Sequence, residues 1–406
     1  MERSDPGYSV FENRNLSLVK VGSGRHPPAD TIAAARLQTQ DMDTRGFHAA
    51  IDGLVAGTRP LAAVAEELGT GLELLPALAG YLEQELPMEA LERIEALLKA
   101  ILAAACARGC TGAEARAIAR FQQRAGFLLK YKPYAVKCAN PLGYSLFLQN
   151  PGEGFSFQRH TEHKVEVFHI LDVHPGGYAF LCDFSTWEEI FEPEAFERWL
   201  AGAADERYDS HRYELRPGDV IVIDHLNVVH SVLGCVAEEF ATVSTDMVDR
   251  LYDQNSRTAI PPQFDHAFVR ARLGELRYPE ESRVVYGPGQ GLIEPVRVEG
   301  GTMRVLVDSF VSARAYTIYA GAEGPALSDP QRAASVYVTG GAGRVVVTGE
   351  GEDAAAVEPI AVSAGDLLTI VPGVSYRAIN DGGEPLTFSE HRIAPDVAFT
   401  ADPGAT

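Results

Sequence analysis

The sequence predicts an α+β protein, in which a helical N-terminal region precedes two antiparallel β domains in tandem. The prediction rests on the length and on one clear change of pattern along the 406 residues. Ala-, Leu- and Glu-rich segments with helical spacing run from about residue 29 to 126, and short β-rich runs broken by Gly, Pro and Asp follow Lys130. A chain of this length exceeds one ordinary core and suits two or three domains.

The helical region is predicted over residues 1–130, from segments such as PLAAVAEELG and MEALERIEALLKAILAAACARG. Thr111 and Glu114 have the spacing of a capping box, in which a hydroxyl and a carboxylate bind the free amides of a first turn. His48 stands alone, and Cys106 and Cys110 are expected to be buried apolar groups rather than ligands. No catalytic cluster is predicted in this region.

The first β domain is predicted over residues 131–258, from runs such as GYSLFLQ, EVFHILDV and DVIVIDHL. A helical insertion is predicted at 185–204, because apolar residues recur there at helical intervals. A second β series, which includes RVLVDSF, ARAYTIYAG and PLTFSEHRI, defines a second domain over residues 259–406.

Composition and charge exclude several classes of function. The formal charge of -21 argues against a nucleic-acid-binding surface, because phosphate contacts need clustered Lys and Arg. No apolar run has the length of a membrane span, and no signal-peptide core follows Met1. Five scattered cysteines form neither a disulfide framework nor a zinc ribbon. A cytoplasmic protein with a small-molecule partner is therefore expected, and a homodimer is compatible with the sequence.

One motif occurs in both β domains. Arg216-Pro-Gly-Asp219 and Ser363-Ala-Gly-Asp366 each precede an apolar strand, which is followed by His230 in the first copy and Tyr376 in the second. The motif resembles the second motif of the cupin superfamily, whose domain is a double-sheet jelly roll. The resemblance implies two tandem cupin-type jelly rolls and a metal ligand at His230. Because Tyr376 replaces the ligand in the second copy, the second domain is predicted to be metal-free.

The segment FSFQRHTEHKVEVFHIL, residues 155–171, interrupts a strand pattern with many polar residues. Alternate residues of a strand share a face, so one face is predicted to carry Gln158, His160, Glu162, Lys164 and Glu166. A buried face of this kind would need a compensating divalent cation, whereas a solvent-facing strand would need nothing. The combination with His230 favours the metal site, with His225 as a competing ligand.

The same segment resembles the type I mannose-6-phosphate isomerase family over about residues 130–257. Gln158-Arg-His160 looks like the Gln-x-His motif of that family, and Lys164-Val-Glu166 looks like its Lys-x-Glu segment. The resemblance implies one divalent metal ion bound by Gln158, His160, Glu166 and His230, with zinc first and iron, manganese or cobalt as alternatives. In a second alignment, His160-x-Glu162-x-x-x-Glu166 resembles the general cupin His-x-His-x-x-x-Glu motif, with Glu162 in place of the second His. Glu162, His163 or His225 could therefore replace one of the proposed ligands.

The isomerase resemblance extends to a catalytic arginine and lysine. Arg250-Leu-Tyr-Asp253 is similar to the family segment that holds an active-site Arg, which implies Arg250 as the partner of a developing oxyanion. Lys164 is predicted to position the substrate or to transfer a proton. The plainer interpretations are a salt bridge of Arg250 with Asp246 or Asp253, and a structural ion pair of Lys164.

The implied reaction is the aldose-ketose isomerisation of a sugar or sugar phosphate, by proton transfer through an enediol. Two other functions remain open: a cupin-type non-haem Fe(II) dioxygenase and a non-catalytic sugar-binding regulatory protein. The sequence has no Gly-rich phosphate loop, and the candidate cations for a substrate phosphate are Lys130, Lys132, Lys137, Arg159, Arg212 and Arg257.

Overall fold

The structure is a computed structural model of the chain. It describes residues 3–5, 8–13, 16–20, 45–60, 63–64, 88–125, 128–132, 135–139, 143–160, 164–242, 248–252, 276, 278–349 and 357–393. The mostly β architecture that the sequence predicts is confirmed over these residues.

The helices of the described residues are α1 (Arg45–Val55), α2 (Met88–Arg108), α3 (Gly112–Ala125), α4 (Phe184–Ile190), α5 (Pro193–Leu200) and α6 (Glu206–Asp209). The strands before α4 are β1 (Arg3–Asp5), β2 (Tyr8–Asn13), β3 (Leu16–Lys20), β4 (Leu128–Lys132), β5 (Ala135–Ala139), β6 (Tyr144–Gln149), β7 (Phe157–His160) and β8 (Glu166–Asp183). The strands between α6 and residue 300 are β9 (Arg212–Glu214), β10 (Asp219–Ile223), β11 (Val228–Ala241), β12 (Val248–Tyr252), β13 (Ser282–Tyr286), β14 (Gly291–Ile293) and β15 (Val296–Val298). The remaining strands are β16 (Gly301–Asp308), β17 (Val311–Ile318), β18 (Ala333–Gly340), β19 (Ala342–Thr348), β20 (Ile360–Ser363), β21 (Leu367–Ile370), β22 (Ser375–Ile379) and β23 (Leu386–Ile393).

The first β domain is organised around the long strand β11. This strand pairs with β8 along nearly all of its length, and on its other side it pairs with β6 and, at His230, with β7. Strand β12 then pairs with the far edge of β7. All fourteen residues of β11 are buried, because the strand lies in the middle of the sheet. The position of β11 brings residues from three neighbouring strands to one place.

A register shift at Gly234 changes which residues of β11 face the interior of the first β domain. Before the shift, residues at even positions such as Val228 and Val232 face the interior. After the shift, residues at odd positions such as Cys235 and Ala237 pack in the same cluster. Gly234 has a positive φ of 63°, which glycine adopts without strain. The irregularity therefore reverses the alternation of faces halfway along the strand.

The second β domain consists of two sheets. A six-stranded sheet has the order β15-β16-β17-β23-β18-β21, and a three-stranded sheet has the order β20-β19-β22. Apolar side chains of both sheets, among them Val336, Val347 and Leu368, form one core. The arrangement has the two layers of an antiparallel β domain.

The N-terminal helices extend the core of the second β domain. Ile94, Ile101 and Ile118 belong to the same cluster as Val347 and Leu368, and Arg116 donates a hydrogen bond to the carbonyl oxygen of Val347 (3.2 Å). The capping box at the start of α3 is present: the amide of Thr111 donates to Glu114, and the amide of Glu114 donates to the Thr111 hydroxyl (2.9 and 3.3 Å). None of the described helices is long and apolar enough to cross a membrane.

The prediction of a mainly helical region over residues 1–130 needs correction at both of its ends. Strands β1, β2 and β3 precede the helices, and β3 pairs with β4, which continues through β5 to β6. The segments YSVFEN and LSLVK are short and do not alternate strictly between apolar and polar residues, so periodicity alone does not identify them as strands. These strands extend the sheet of the first β domain.

The helical insertion holds β7 through aromatic contacts. Helices α4 and α5 lie within the predicted segment, apart from the first residue of α4, and their Trp187 and Phe196 are buried. Phe157 of β7 packs edge-on against Phe196, with ring centroids 4.9 Å apart, and stacks on Trp187 at 6.0 Å. This cluster anchors the strand that carries Gln158 and His160.

A buried polar network joins the two β domains. Glu238 accepts hydrogen bonds from Tyr144 (3.0 Å) and Tyr278 (3.4 Å), and its carboxylate lies 3.1 Å from Nδ1 of His169. The hydroxyl of Ser389, from the second domain, donates to Tyr278 (3.2 Å). Because buried polar groups are costly unless they are paired, this network favours one relative placement of the two domains.

The two Gly-Asp turns have the same local structure. The Asp219 carboxylate accepts the amide of Arg216, and the Asp366 carboxylate accepts the amide of Ser363, each at 2.8 Å. Gly218 and Gly365 have φ values of 93° and 92°. Their surroundings differ: a Cβ atom on Gly218 would lie 1.9 Å from the carbonyl oxygen of Glu281, whereas a Cβ atom on Gly365 would meet nothing within 4 Å.

We expect Gly218→Ala to destabilise the protein more than Gly365→Ala. Both substitutions force an alanine into the left-handed region, at a cost of about 1–2 kcal/mol. Only the first also forces the backbone near Glu281 to move, which adds about 1–3 kcal/mol. Chemical denaturation of both variants measures the difference, and equal losses of unfolding free energy would contradict this account.

A second prediction concerns His391, which is fully buried against Phe240 in the interface between the two domains. Neither of its ring nitrogens has a hydrogen-bond partner among the described residues, and burial lowers its pKa from 6.5 to about 3. Below pH 6.5 the unfolded chain binds this proton while the folded chain does not. As the pH falls from 6.5 to 3, His391 therefore lowers the free energy of unfolding by about 1.4 kcal/mol for each pH unit, and this contribution is absent above pH 6.5.

His391→Gln should remove this pH-dependent contribution, so the difference in unfolding free energy between variant and wild type should change with pH in that window. His225→Gln is the matched control, because the His225 side chain is 75% exposed. Parallel stability profiles of wild type and His391→Gln between pH 6.5 and 4 would show that the buried imidazole does not titrate as described.

Candidate metal centre

The structure brings Gln158, His160, Glu166 and His230 together. Gln158 and His160 come from β7, Glu166 is the first residue of β8, and His230 lies on β11 directly opposite Gln158. The predicted single polar strand is thus two strands, because β7 ends at His160 and β8 begins at Glu166. Strands β7 and β8 both flank β11, so the side chains still converge.

The two imidazoles and the carboxylate are in direct contact. Oε2 of Glu166 lies 3.2 Å from Nε2 of His160 and 3.2 Å from Nε2 of His230. The two imidazole rings meet edge to face, with centroids 4.8 Å apart. None of the three residues is more than 2% exposed. Among the described residues, His160, Glu166 and His230 form a group whose potential ligand atoms all lie within 4.8 Å of one another.

The environment of His230 leaves its Nε2 atom as an electron-pair donor. Nδ1 lies 3.1 Å from the carbonyl oxygen of Val228, which can only accept a hydrogen bond, so Nδ1 carries the proton. Burial lowers the pKa of His230 and favours the neutral ring. A lone pair on Nε2 therefore faces a carboxylate oxygen, and a cation between the two atoms would relieve their repulsion.

Gln158 supplies an amide at the same point. Its Nε2 atom is placed 3.5 Å from Nε2 of His230, and its Oε1 atom accepts a hydrogen bond from the hydroxyl of Ser156 at 3.0 Å. Rotating the amide by 180° would turn the oxygen toward the imidazoles, and Ser156 could then accept from the NH₂ group. Gln158 can thus act as a fourth ligand without losing its hydrogen bond.

Lys164 compensates the charge of Glu166. Its ammonium lies 2.5 Å from Oε1 of Glu166 and 3.4 Å from Oε1 of Glu239, and all three residues are buried. Burial alone would raise the pKa of Glu166, but the opposing contributions, of which the charge of Lys164 is the largest, hold that pKa well below its usual range. Glu166 is therefore ionised and able to bind a cation.

These residues fit a divalent cation. Zinc bonds of about 2.0–2.1 Å in a tetrahedron place neighbouring donor atoms about 3.4 Å apart, close to the two contacts of 3.2 Å at Glu166. Metal binding requires both imidazoles to be neutral, and the ionised carboxylate of Glu166 then supplies a negative charge to the ion. Nitrogen and carboxylate donors suit zinc, iron, manganese and cobalt alike.

Arg250 lies in the same row as two of the candidate ligands. It is opposite Gln158 in the pairing of β12 with β7, and Gln158 is opposite His230 in the pairing of β7 with β11. Residues directly opposite each other in antiparallel strands point to the same face. His230, Gln158 and Arg250 thus form a row across three neighbouring strands. His230 is the buried end of this row, and Arg250 is its solvent-exposed end.

The competing ligand His225 and two further histidines of the first β domain lie outside the cluster. His225 is largely exposed and contacts Asp224 (3.1 Å), so it does not compete for the metal position. His174 contacts the carbonyl oxygen of Gln149 (3.2 Å), and His169 belongs to the interdomain network. The structure does not describe Glu162, His163, Asp246, Asp253 or Arg257.

Two of the candidate phosphate ligands have other partners. Arg159 forms an ion pair with Asp249 (3.2 Å) and lies over the ring of Phe184, and Arg212 lies over the ring of Tyr178. The side chains of Lys130, Lys132 and Lys137 are outside the described residues.

The sequence analysis missed Ser156 and Glu239. Ser156 lies two residues before Gln158 on the same face, and strand alternation could have identified it. Glu239 could not be identified in this way, because it is nine residues from His230 and an odd separation predicts opposite faces. The register shift at Gly234 places Glu239 on the same side as His230.

In the second β domain, Tyr376 takes part in an ionic cluster. Its hydroxyl donates to Oε1 of Glu390 (2.5 Å), and the guanidinium of Arg392 contacts the same carboxylate. Arg314 lies 3.6 Å from the other oxygen of Glu390. Burial, followed by the charge of Glu390, raises the pKa of Tyr376 well above its usual value, so the phenol stays protonated.

Comparisons with known proteins find distant structural similarity only. No protein-family model matches the sequence, and no curated protein matches it. The chain is similar to the structure of oxalate decarboxylase from Bacillus subtilis at pH 4.6, with 16% identity, a TM-score of 0.40, and coverage of 65% of this chain and 73% of that one. It is also similar to AerE from Microcystis aeruginosa, with 10% identity, a TM-score of 0.35, and coverage of 66% and 91%. Similarity at this level assigns neither a family nor an activity to this chain.

We expect the double substitution His160→Ala and His230→Ala to abolish metal binding and to leave the fold largely intact. Elemental analysis of the purified protein after dialysis against a divalent metal measures the stoichiometry, which should fall from one ion per chain to none. His174→Ala with His225→Ala is the matched control and should retain the ion. Unchanged stoichiometry in the first variant would rule out this cluster as the metal site.

Proposed function

We propose that this protein is a metal-dependent aldose-ketose isomerase that acts on a sugar or sugar phosphate, and that it is a bicupin related to the type I mannose-6-phosphate isomerases. The observation that carries the proposal is the row of His230, Gln158 and Arg250 across three neighbouring strands. It places a buried donor cluster next to an exposed cation, which is the arrangement that an enzyme acting on a polyhydroxylated substrate needs.

The donor cluster would hold the ion through His160, Glu166, His230 and the amide oxygen of Gln158. A bound divalent ion supplies Lewis-acid chemistry to a substrate oxygen. The surroundings restrict water: Phe155 lies against His230, with ring centroids 6.2 Å apart, and packs on Phe147 and Phe168. An electrostatic contact is worth more in such a site than in water.

Arg250 would orient the substrate and stabilise negative charge that develops on it. Its guanidinium is permanently charged and exposed, so it is available to a substrate that enters from the solvent side of the row. Lys164 is buried and held by two carboxylates, which suits orientation of Glu166 better than contact with substrate.

A second candidate function follows from the composition of the ligand set. Two histidines and one carboxylate, here His160, His230 and Glu166, are the ligand set of the non-haem Fe(II) oxygenases. The fourth donor, Gln158, and the neighbouring Arg250 favour the isomerase. The two functions differ in their need for oxygen.

We expect isomerase activity to persist without oxygen in protein loaded with zinc, cobalt or manganese. The assay uses mannose 6-phosphate and unphosphorylated mannose in deuterated water under anaerobic conditions. Deuterium at C2 of the recovered aldose is the evidence of proton transfer. Arg250→Ala should lower kcat about 10²- to 10³-fold, the scale of losing one oxyanion-stabilising donor, and should leave the metal content unchanged.

Arg344→Ala is the control for this experiment, because Arg344 is exposed and forms an ion pair with Asp381 in the second β domain. It should keep kcat within about twofold of wild type, as surface substitutions away from a site usually do. Strict dependence on Fe(II) together with stoichiometric oxygen consumption would assign the dioxygenase function instead. Full activity of Arg250→Ala would remove Arg250 from the mechanism.

A further inference from the structure

Two buried glutamates are adjacent on β11 and face opposite sides of the sheet. Glu238 faces the second β domain, and Tyr144, His169 and Tyr278 surround its carboxylate. Glu239 faces the interior of the first domain, where its Oε1 atom lies 3.4 Å from the ammonium of Lys164. Neither residue is more than 2% exposed. A buried carboxylate is costly, so each needs a specific environment that compensates it.

The contacts of Glu239 lead directly to the candidate metal centre. Lys164 has a flexible four-carbon side chain, and a single contact with Glu166 would leave it several orientations. The second contact, with Glu239, fixes the ammonium at Oε1 of Glu166. Oε2 is then the carboxylate oxygen that faces the imidazoles of His160 and His230, at 3.2 Å from each.

We propose that Glu239 is a positioning residue of the metal centre: it holds Lys164 on Oε1 of Glu166, so that Glu166 presents a single oxygen to the ion. This inference rests on the proposed function only in its assumption that the cluster binds a metal. Residues that orient a ligand in this way typically contribute 10- to 100-fold to metal affinity.

The test compares Glu239→Gln with Glu238→Gln. The two substitutions remove the same charge from neighbouring, equally buried positions of one strand, so a general loss of stability or of buried charge affects both. Metal affinity is measured by competition of Zn²⁺ against a chromophoric chelator. Glu239→Gln should bind zinc about 10- to 100-fold more weakly than wild type, whereas Glu238→Gln should stay within about threefold.

The visible spectrum of Co²⁺-loaded protein gives a second readout, which a merely structural role would not change. Four-coordinate Co²⁺ absorbs strongly, and absorption weakens when a fifth donor binds. Without Glu239 the ammonium of Lys164 is less restricted at Oε1 of Glu166, and that oxygen becomes more accessible to the ion. Glu239→Gln should therefore show weaker absorption than wild type, and Glu238→Gln should not.

The double variant Lys164→Met with Glu239→Gln decides the case if Glu239→Gln does not fold. It removes one positive and one negative charge together, so the net charge of the site is unchanged and weaker zinc binding reports orientation. Wild-type affinity in the double variant, or equal losses in Glu238→Gln and Glu239→Gln, would overturn the inference. Failure of the wild-type protein to bind zinc would instead overturn the proposed function.

Discussion

A carboxylate inside a β domain has to be compensated, and the arrangement around Glu166 follows from that requirement. Its two oxygens have different partners: Oε1 contacts the ammonium of Lys164, and Oε2 contacts the imidazoles of His160 and His230. In an interior of low effective dielectric each of these contacts is stronger than it would be in water. The same carboxylate therefore orders a lysine on one side and a pair of potential metal ligands on the other.

The geometry of β11 makes this arrangement possible. A regular strand places residues an odd number apart on opposite faces, so His230 and Glu239 would not meet the same interior. The register shift at Gly234 reverses the alternation, and Glu239 then faces Lys164 while Glu238 faces the second β domain. The register shift therefore sets the surroundings of two neighbouring glutamates: Glu239 contacts Lys164 near the candidate metal centre, and Glu238 contacts the interdomain network.

Sequence reasoning could reach the parts of the site that depend on short-range regularity. The spacing of Gln158 and His160 on one strand, and the turn before His230, are local patterns, and the structure brings these residues together. The position of Glu239 depends on a bulge, and the division of the polar segment into β7 and β8 depends on pairing with β11. Such features arise from tertiary contacts, which periodicity does not contain. Strands β1 to β3 were also missed, because they are only three to six residues long and do not alternate strictly between apolar and polar residues.

The two β domains compensate a buried carboxylate in different ways, and the difference bears on which of them attracts a cation. Glu390 of the second domain is contacted by Tyr376 and Arg392, with Arg314 at 3.6 Å, so its described partners are a phenol and two guanidinium groups. Guanidinium groups are always charged and form rigid forks that satisfy a carboxylate completely. Among the described residues the cation next to Glu166 is Lys164, which also contacts Glu239, and Nε2 of the neighbouring His230 has an available lone pair. The carboxylate of the second domain thus faces guanidinium groups, whereas that of the first faces imidazoles that could bind a cation, although both domains contain the same Gly-Asp turn. The two domains therefore differ in the side chains that surround their buried carboxylate: arginines at Glu390, and a lysine with two histidines at Glu166.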